Sequence, residues 1–157
     1  MSDKLAPTRL RKAWSVTVKS YDGAEIFFAA TAGRARSMAW RRLDDGQLRI
    51  VNVVARRAPY ADVHLPVPDE ATLALSKQER HCLLHAFGAN GSDPTRAGYR
   101  DYFYTRRDNP PLVALTALGL MKALPSHSEE YGKGMTYFVL TDAGKRAALS
   151  LVPEYAP

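Results

Sequence analysis

Residues 112–149 read LVALTALGLMKALPSHSEEYGKGMTYFVLTDAGKRAAL, a stretch in which apolar, polar and aromatic segments follow one another. An apolar helical pattern ends at Gly119, a polar segment follows, and an aromatic strand then leads into another helix near Thr141. The polar segment contains Gly132 and Gly134, which permit a hairpin tip. The stretch predicts a helix, a strand, a projecting loop, a second strand and a closing helix.

The second strand of this stretch covers residues 135–140 and alternates Tyr137 and Val139 with Phe138 and Leu140. Because both sets are apolar or aromatic, we expect the strand to be covered on both sides. The helix before it and the helix after it are expected to supply that cover.

Two helical segments are predicted upstream of this stretch, and a third runs into its start. Residues 76–79 read Ser-Lys-Gln-Glu, a capping box that opens a helix ending near Gly88. Residues 99–107, YRDYFYTRR, are expected to form a short aromatic helix or an irregular turn. Asn109 and Pro110 then begin the third helix, since proline suits a first turn.

This order of elements resembles a winged helix-turn-helix domain. The phrases LTALGLM (115–121) and LTDAG (140–144) are similar to those of MarR- and PadR-like regulators, and the resemblance covers roughly residues 76–149. It implies a winged-helix fold, a recognition helix ending at Gly119, a wing over residues 126–134 and binding to duplex DNA. The wing departs from the family because Glu129 and Glu130 outnumber Lys133, and acidic side chains repel phosphates.

The first half of the chain predicts a strand–strand–helix–strand module. Residues 13–20 alternate as a strand, Asp22-Gly23 marks a hairpin turn, and residues 24–30 form the return strand. A helix follows from its cap at Thr31 to Leu43, Gly46 marks its end, and residues 47–58 form the third strand. The segments TAGRARSMAW (31–40) and ARRAPYAD (55–62) of this half also resemble those of small uncharacterised phage and prophage proteins.

The fold class is therefore α+β: a small ββαβ module followed by a winged helix-turn-helix domain. We expect a flexible basic arm, the basic ββαβ module, a proline-rich linker, the winged helix and a short tail. Their bounds are 1–12, 13–65, 66–75, 76–150 and 151–157.

Composition bounds the class of protein. The 157 residues are 46% hydrophobic and 24% charged, as in soluble globular proteins, and no apolar run is long enough for a membrane span. The charged N-terminus lacks the apolar core of a secretory signal, and Cys82 is the single cysteine, so we expect a cytoplasmic protein.

The positive charge is unevenly distributed: residues 1–68 hold twelve Lys/Arg against six Asp/Glu, while residues 69–157 hold ten of each. The whole excess of +6 thus lies in the first half, which favours a polyanionic partner.

Basic and polar side chains near the third helix are the first candidates for nucleic-acid contact. Arginine can read guanine and asparagine can read adenine, although the nearby Asp residues also suit a solvated, ion-paired loop. A second basic set belongs to the first half, where phosphate contact and an ordinary solvated surface are both open. The candidates are Arg96, Arg100, Thr105, Arg106, Arg107 and Asn109, with Arg34, Arg41, Arg56 and Arg57 in the first half.

Aromatic side chains give a second kind of candidate. Tyr102 and Phe103 are expected to fill the core, whereas other members of the group can stack on bases or anchor a protein partner. The predicted protein interface consists of Tyr99, Tyr104, Glu129, Glu130 and Tyr131.

No motif argues for an enzyme or a cofactor. His81, Cys82 and His85 share a helix, but the spacing lacks the glutamate of the metalloprotease phrase, so no metal is expected. We expect a nucleic-acid-binding protein for duplex DNA, such as a phage or prophage regulator. The alternative is a protein-interaction module, such as a phage-encoded inhibitor or adaptor of a host protein, and a homodimer stays open.

Overall fold

The computed structural model describes residues 7–19, 21–43, 48–89, 93–125 and 134–156. The chain is mixed α and β, which confirms the α+β class at that level. It divides into two compact units, the first comprising Met1–Leu65 with Glu154–Pro157 and the second Pro66–Pro153. Within the described ranges, no helix combines the length and apolarity that a bilayer crossing requires.

The first unit is built on a three-stranded antiparallel sheet and one helix. In chain order these are β2 (Ala13–Val18), β3 (Glu25–Phe28), α1 (Ala32–Leu43) and β4 (Val53–Arg57), with sheet order β3-β2-β4. Gly23 turns β2 into β3 with a φ of 90°, and the Thr31 hydroxyl caps α1 by accepting from the Arg34 N–H, as the sequence predicts. The core of this unit consists of Val16, Val18, Phe27, Ala29, Ala35, Ala39 and Val53. Gly46, the predicted helix end, lies outside the described residues.

The predicted flexible arm is wrong for residues 8–11. They form β1 (Thr8–Arg11), which pairs with β5 (Val63–Pro66) in a two-stranded sheet. Arg11 is buried, its Nε donates to the Glu154 carbonyl at 2.8 Å, and its guanidinium lies 5.9 Å from the Phe28 ring centroid. The predicted C-terminal tail, residues 151–157, takes part in the same contact, because Glu154 accepts the hydrogen bond from Arg11.

The predicted linker is also wrong in part. Residues 70–74 form α2 (Glu70–Ala74), which begins where the Asp69 side chain accepts from the Thr72 N–H at 2.8 Å. Thr72 and Leu75 are buried, so this segment belongs to the second unit. Pro66 and Pro68 precede α2 and are not part of it.

Besides α2, the second unit contains three α-helices and three strands among the described residues, and the three strands form one sheet. After α2 these are α3 (Lys77–Ala86), β6 (Tyr102–Arg106), α4 (Pro110–Ala117), β7 (Met121–Ala123), β8 (Met135–Leu140) and α5 (Asp142–Leu151). The sheet is antiparallel in the order β6-β8-β7. Leu83, Leu112, Leu115, Met121, Phe138 and Val152 are its most fully buried large side chains.

The helix ends of this unit follow the sequence signals. Ser76 and Glu79 form the predicted capping box of α3, and Thr141 caps α5. Gly88 and Gly119 have positive φ, 74° and 72°, and each ends a helix by the paired backbone bonds of a Schellman motif. These bonds depend on residues within five positions of one another, which is why the pattern reveals them.

The expectation of a helix or irregular turn at residues 99–107 is wrong. Residues 102–106 form β6, whose side chains alternate between the core side, with Phe103 and Thr105, and the opposite side. Its partner strand β8 is about thirty residues further along the chain, so the local sequence pattern does not predict this pairing. Only residues 107–109 separate β6 from α4. In place of the second of the three expected helices the structure has this strand, so the order from residue 77 to residue 117 is α3, β6, α4.

Candidate functional site

The outer side of the second unit's sheet carries three tyrosines. Tyr102 and Tyr104 project from β6 and Tyr137 from β8, and their exposed fractions are 44%, 45% and 47%. The Tyr137 ring centroid lies 4.6 Å from that of Tyr104 and 5.6 Å from that of Tyr102, the latter edge-on. Tyr137 is therefore the centre of a continuous aromatic surface that faces solvent.

Two cations share this side of the sheet. The register pairs Arg106 with Met135 and Lys122 with Val139, and both cationic residues are exposed. Because paired residues of an antiparallel sheet point to the same side, Arg106 and Lys122 lie on the side that carries the tyrosines. We call this surface the tyrosine face: Tyr102, Tyr104, Tyr137, Arg106 and Lys122.

Two arginines of the predicted site lie where β6 ends: Arg106 is its last residue and Arg107 begins the turn that follows. Arg106 forms an ion pair with Asp108, with N–O distances of 3.0 and 2.9 Å, and this hydrogen bonding lowers the pKa of the Asp108 carboxyl. The backbone N–H of Arg107 donates to the Gly134 carbonyl at 2.7 Å, which ties the turn to the start of β8. The exposed Arg107 side chain makes no hydrogen bond or ion pair with any residue that the structure describes.

Asn109 and Thr105 are both directed toward the protein interior. Asn109 precedes α4, and its Oδ1 is buried without a hydrogen-bond partner among the described residues. Thr105 pairs with the buried Thr136 on the core side of the sheet. Neither side chain is presented to bases as the sequence led us to expect.

Arg96, Tyr99 and Arg100 form a separate cluster at the end of α3. Arg100 donates through Nε at 2.8 Å, and also through a terminal nitrogen, to the His85 carbonyl. Both guanidinium groups lie over the Tyr99 ring, at 5.2 Å for Arg96 and 5.6 Å for Arg100. Arg100 thus caps the helix, whereas Arg96 and Tyr99 are exposed. Burial, with the nearby Arg100 and His81, lowers the pKa of His85.

The presumed recognition helix α4 has an apolar outer face. Pro110, Val113 and Ala117 are its exposed residues, and its sequence PPLVALTA contains no charged side chain. Its single hydroxyl, that of Thr116, donates to the Leu112 carbonyl at 2.8 Å. This helix therefore offers no donor set that could read base edges in a major groove.

Three of the four arginines predicted as contacts in the first unit, Arg34, Arg41 and Arg56, are exposed. Arg57 is engaged inside the unit: it forms a bidentate ion pair with Asp62, at 2.7 and 2.5 Å, and donates to the Ala13 carbonyl at 2.8 Å. Arg57 was predicted as a phosphate ligand, but three hydrogen bonds from its terminal nitrogens are already used inside the unit.

The predicted protein interface is placed only in part. Tyr104 belongs to the tyrosine face and Tyr99 to the arginine cluster, so the two are not neighbours on one strand. Glu129, Glu130 and Tyr131 lie outside the described residues.

Sequence reasoning missed Tyr102, Tyr137 and Lys122 as surface residues. Tyr102 was expected in the core and β8 was expected to be covered on both sides, yet Tyr102 and Tyr137 are almost half exposed. The alternation Tyr102, Tyr104, Arg106 is the signal that could have revealed a one-sided strand.

Metal chemistry finds no support in the described part of the chain. No group of three or more His, Cys, Asp or Glu side chains there could hold a metal ion. Cys82 is buried, and burial together with the charge of Glu79 raises the pKa of its thiol, which makes it a poor nucleophile or ligand.

Comparison with other proteins adds no family to these observations. No protein-family model matches the chain, and neither a curated protein nor a solved structure is significantly similar to it. The winged-helix resemblance therefore rests on the residues quoted above.

Proposed function

We propose that this protein binds nucleic acid and that the tyrosine face of its second unit is the contact surface. The observation that carries this proposal is that three half-exposed tyrosines and two cations share one side of a sheet. Aromatic rings stack on bases and cations bind phosphates, so this combination suits a nucleic acid. The winged-helix class and a phage or prophage regulatory role belong to the same proposal, in which duplex DNA and single-stranded nucleic acid are both open as the ligand.

The charge of the first unit supports the same ligand class. The excess of +6 in residues 1–68 attracts polyanions over a distance and raises the rate of encounter. Exposed Arg34, Arg41 and Arg56 can add phosphate contacts that do not depend on base sequence.

Fluorescence anisotropy of labelled mixed-sequence oligonucleotides tests the proposal. We expect affinity to fall steeply between about 50 and 200 mM salt, since phosphate contacts release counterions. The double charge reversal Arg106→Glu with Lys122→Glu should lower affinity at least about tenfold, while Lys77→Glu, an exposed lysine on α3, should have a much smaller effect. Equal effects of the two changes would place the contact elsewhere.

A protein-interaction function is the second candidate, and the outer face of α4 favours it. Val113 and Leu118 are 49% and 59% exposed, next to the apolar Pro110 and Ala117. Such a helix face suits a protein partner, including a second copy of this chain. Sedimentation of the native protein and of Val113→Glu with Leu118→Glu tests self-association: a dimer that the double variant abolishes supports this surface, and two identical monomeric profiles contradict a homodimer.

A further inference from the structure

We propose that the tyrosine face selects single-stranded over duplex nucleic acid, with unpaired bases stacking on its rings; this rests on the nucleic-acid-binding function proposed above. Both faces of a base in a duplex are covered by neighbouring base pairs, so an aromatic surface meets only edges and backbone. In a single strand the same faces are free to stack on tyrosine.

The arrangement of the rings prepares the surface for stacking. Tyr137 contacts the rings of both Tyr102 and Tyr104, at 5.6 and 4.6 Å between centroids. This mutual packing restricts the rotamers of the three side chains before any ligand arrives. A surface ordered in advance loses less conformational entropy on binding.

The surroundings of the rings do not favour readout of a duplex. The other residues of β8 on this outer side are Met135 and Val139, which offer no strong donor or acceptor to base edges. The outer face of α4 is apolar as well. Binding that relies on stacking and phosphate contact tolerates many base sequences, so we expect weak sequence preference.

The cations are placed to hold the backbone of the strand on either side of the rings. Lys122 lies in the row of Tyr102 and Val139, and Arg106 lies in the row of Met135, while the row between them carries Tyr104 and Tyr137. The Arg106 ion pair with Asp108 is highly exposed, with side-chain exposures of 75% and 71%. Such an exposed pair is weak, and a phosphate can displace the carboxylate.

Competition between strand states in the full-length protein tests this inference. The probes are labelled dT and rU homopolymers of about 20 nucleotides, a mixed-sequence single strand of that length, and its duplex. We expect the single strands to bind at least about tenfold more tightly than the duplex. The dT and rU arms report whether DNA and RNA strands are distinguished.

Variants of the central ring locate the contact. Tyr137→Ala and Tyr137→Leu should weaken single-strand binding about 5- to 150-fold, because both remove the ring, whereas Tyr137→Phe keeps it and should stay within about twofold. Tyr104→Ala gives an independent second test at the neighbouring ring. Tyr60→Ala, at an 82% exposed tyrosine of the first unit, is the matched control and should leave affinity unchanged.

The outcomes separate the two proposals. Duplex binding as tight as single-strand binding overturns the strand preference and leaves nucleic-acid binding standing. Single-strand binding that survives both Tyr137→Ala and Tyr104→Ala, in variants with native circular dichroism and melting temperature, also overturns it, since the strand then binds elsewhere. No binding of any probe at about 50 mM salt overturns the nucleic-acid function itself.

Discussion

Gly144 of α5 lies against the carbonyl oxygen of Leu120, so closely that a Cβ built on Gly144 would overlap that oxygen. The Thr141 N–H donates to the same carbonyl at 3.1 Å, and the Thr141 hydroxyl donates to the Gly119 carbonyl at 2.7 Å. The turn that ends α4 and the cap that begins α5 are thus bonded to each other. The two glycine-containing segments, 115–121 and 140–144, are therefore in direct contact.

Replacing Gly144 by alanine should destabilise the second unit. Helix propensity alone favours alanine, but the new methyl group overlaps backbone that cannot move aside easily, so we expect a loss of about 1–3 kcal/mol or more. Urea titration followed by circular dichroism measures it. Gly33→Ala in α1 is the control, because a Cβ at this position meets nothing nearer than the Thr31 hydroxyl oxygen at 4.0 Å. This change should raise the free energy of unfolding by about 0.5–1 kcal/mol. Stabilisation by both changes would contradict the close approach.

Removing the hydroxyl of Thr141 should weaken the same joint. That hydroxyl accepts from the Gly144 N–H at 3.1 Å and donates to the Gly119 carbonyl, so Thr141→Ala loses a cap and a hydrogen bond. We expect a cost of about 1–2 kcal/mol in the free energy of unfolding, and a much smaller cost for Thr141→Ser, which keeps the oxygen. Equal losses for alanine and serine would show that the methyl group, and not the hydroxyl, is responsible.

The ion pair between Arg57 and Asp62 should make the first unit sensitive to acid. Hydrogen bonds from Arg57, and then from the Ala13 N–H, lower the pKa of Asp62 below its ordinary 3.8 in the folded state. A lowered carboxyl pKa contributes stability above the unfolded value, and this contribution is lost as the pH falls through the folded value. We therefore expect the native protein to exceed Asp62→Asn in melting temperature near pH 6 and to lose that advantage below about pH 4.

Tryptophan fluorescence measures this difference selectively, because both tryptophans, Trp14 and Trp40, belong to the first unit. Other carboxylates with lowered pKa values, such as Asp69 and Glu79, are present in both proteins and cancel in the comparison. A melting-temperature difference that stays constant from pH 6 to about pH 3 would contradict the role of the Asp62 charge.

The cations of the tyrosine face should set part of the salt dependence of binding. For a single strand, each lost phosphate contact lowers the slope of log affinity against log salt concentration by about 0.7. Lys122→Ala and Arg106→Ala should each reduce the slope by this amount, about 0.7, whereas Lys77→Ala should leave the slope unchanged. An anisotropy series at several salt concentrations gives the slopes, and equal slopes for all four proteins would remove both side chains from the phosphate contact.

Arg100 should matter for folding and not for binding. Its guanidinium caps α3 through the His85 carbonyl, so Arg100→Ala should cost about 1.5–3 kcal/mol of stability, as expected for a hydrogen bond with a charged donor. Nucleic-acid affinity of the folded variant should stay within about twofold. A large loss of affinity with unchanged stability would restore Arg100 to the groove contact that the sequence suggested.

Several features could be predicted from the sequence because their causes are local. Ser76 with Glu79, Thr31 and Thr141 mark helix starts, and Gly88 and Gly119 mark helix ends, through bonds that span only a few residues. The apolar face of α4 was also visible, since Leu112 and Leu115 repeat at helical spacing and are fully buried. Arg106, a candidate because it precedes the third helix, and Tyr104, a candidate because it lies among arginines, are both on the tyrosine face.

Other features could not be predicted because their partners are distant along the chain. The arm residues 8–11 become a strand only by pairing with β5, and residues 102–106 become a strand only by pairing with β8. Arg57 and Arg100 look like free cations in the sequence until the fold brings Asp62 and the His85 carbonyl within hydrogen-bonding distance.

Local sequence signals were enough to place the starts of α1, α3 and α5 and the glycine turns at Gly88 and Gly119, since neighbouring backbone groups satisfy those hydrogen bonds. Which side of β6 faces the core, which arginines remain exposed, and the meeting of Tyr102, Tyr104 and Tyr137 on one surface all depend on the assembled fold. A strand has two equivalent sides until its partners and a covering layer are in place, so exposure is a property of the assembled sheet.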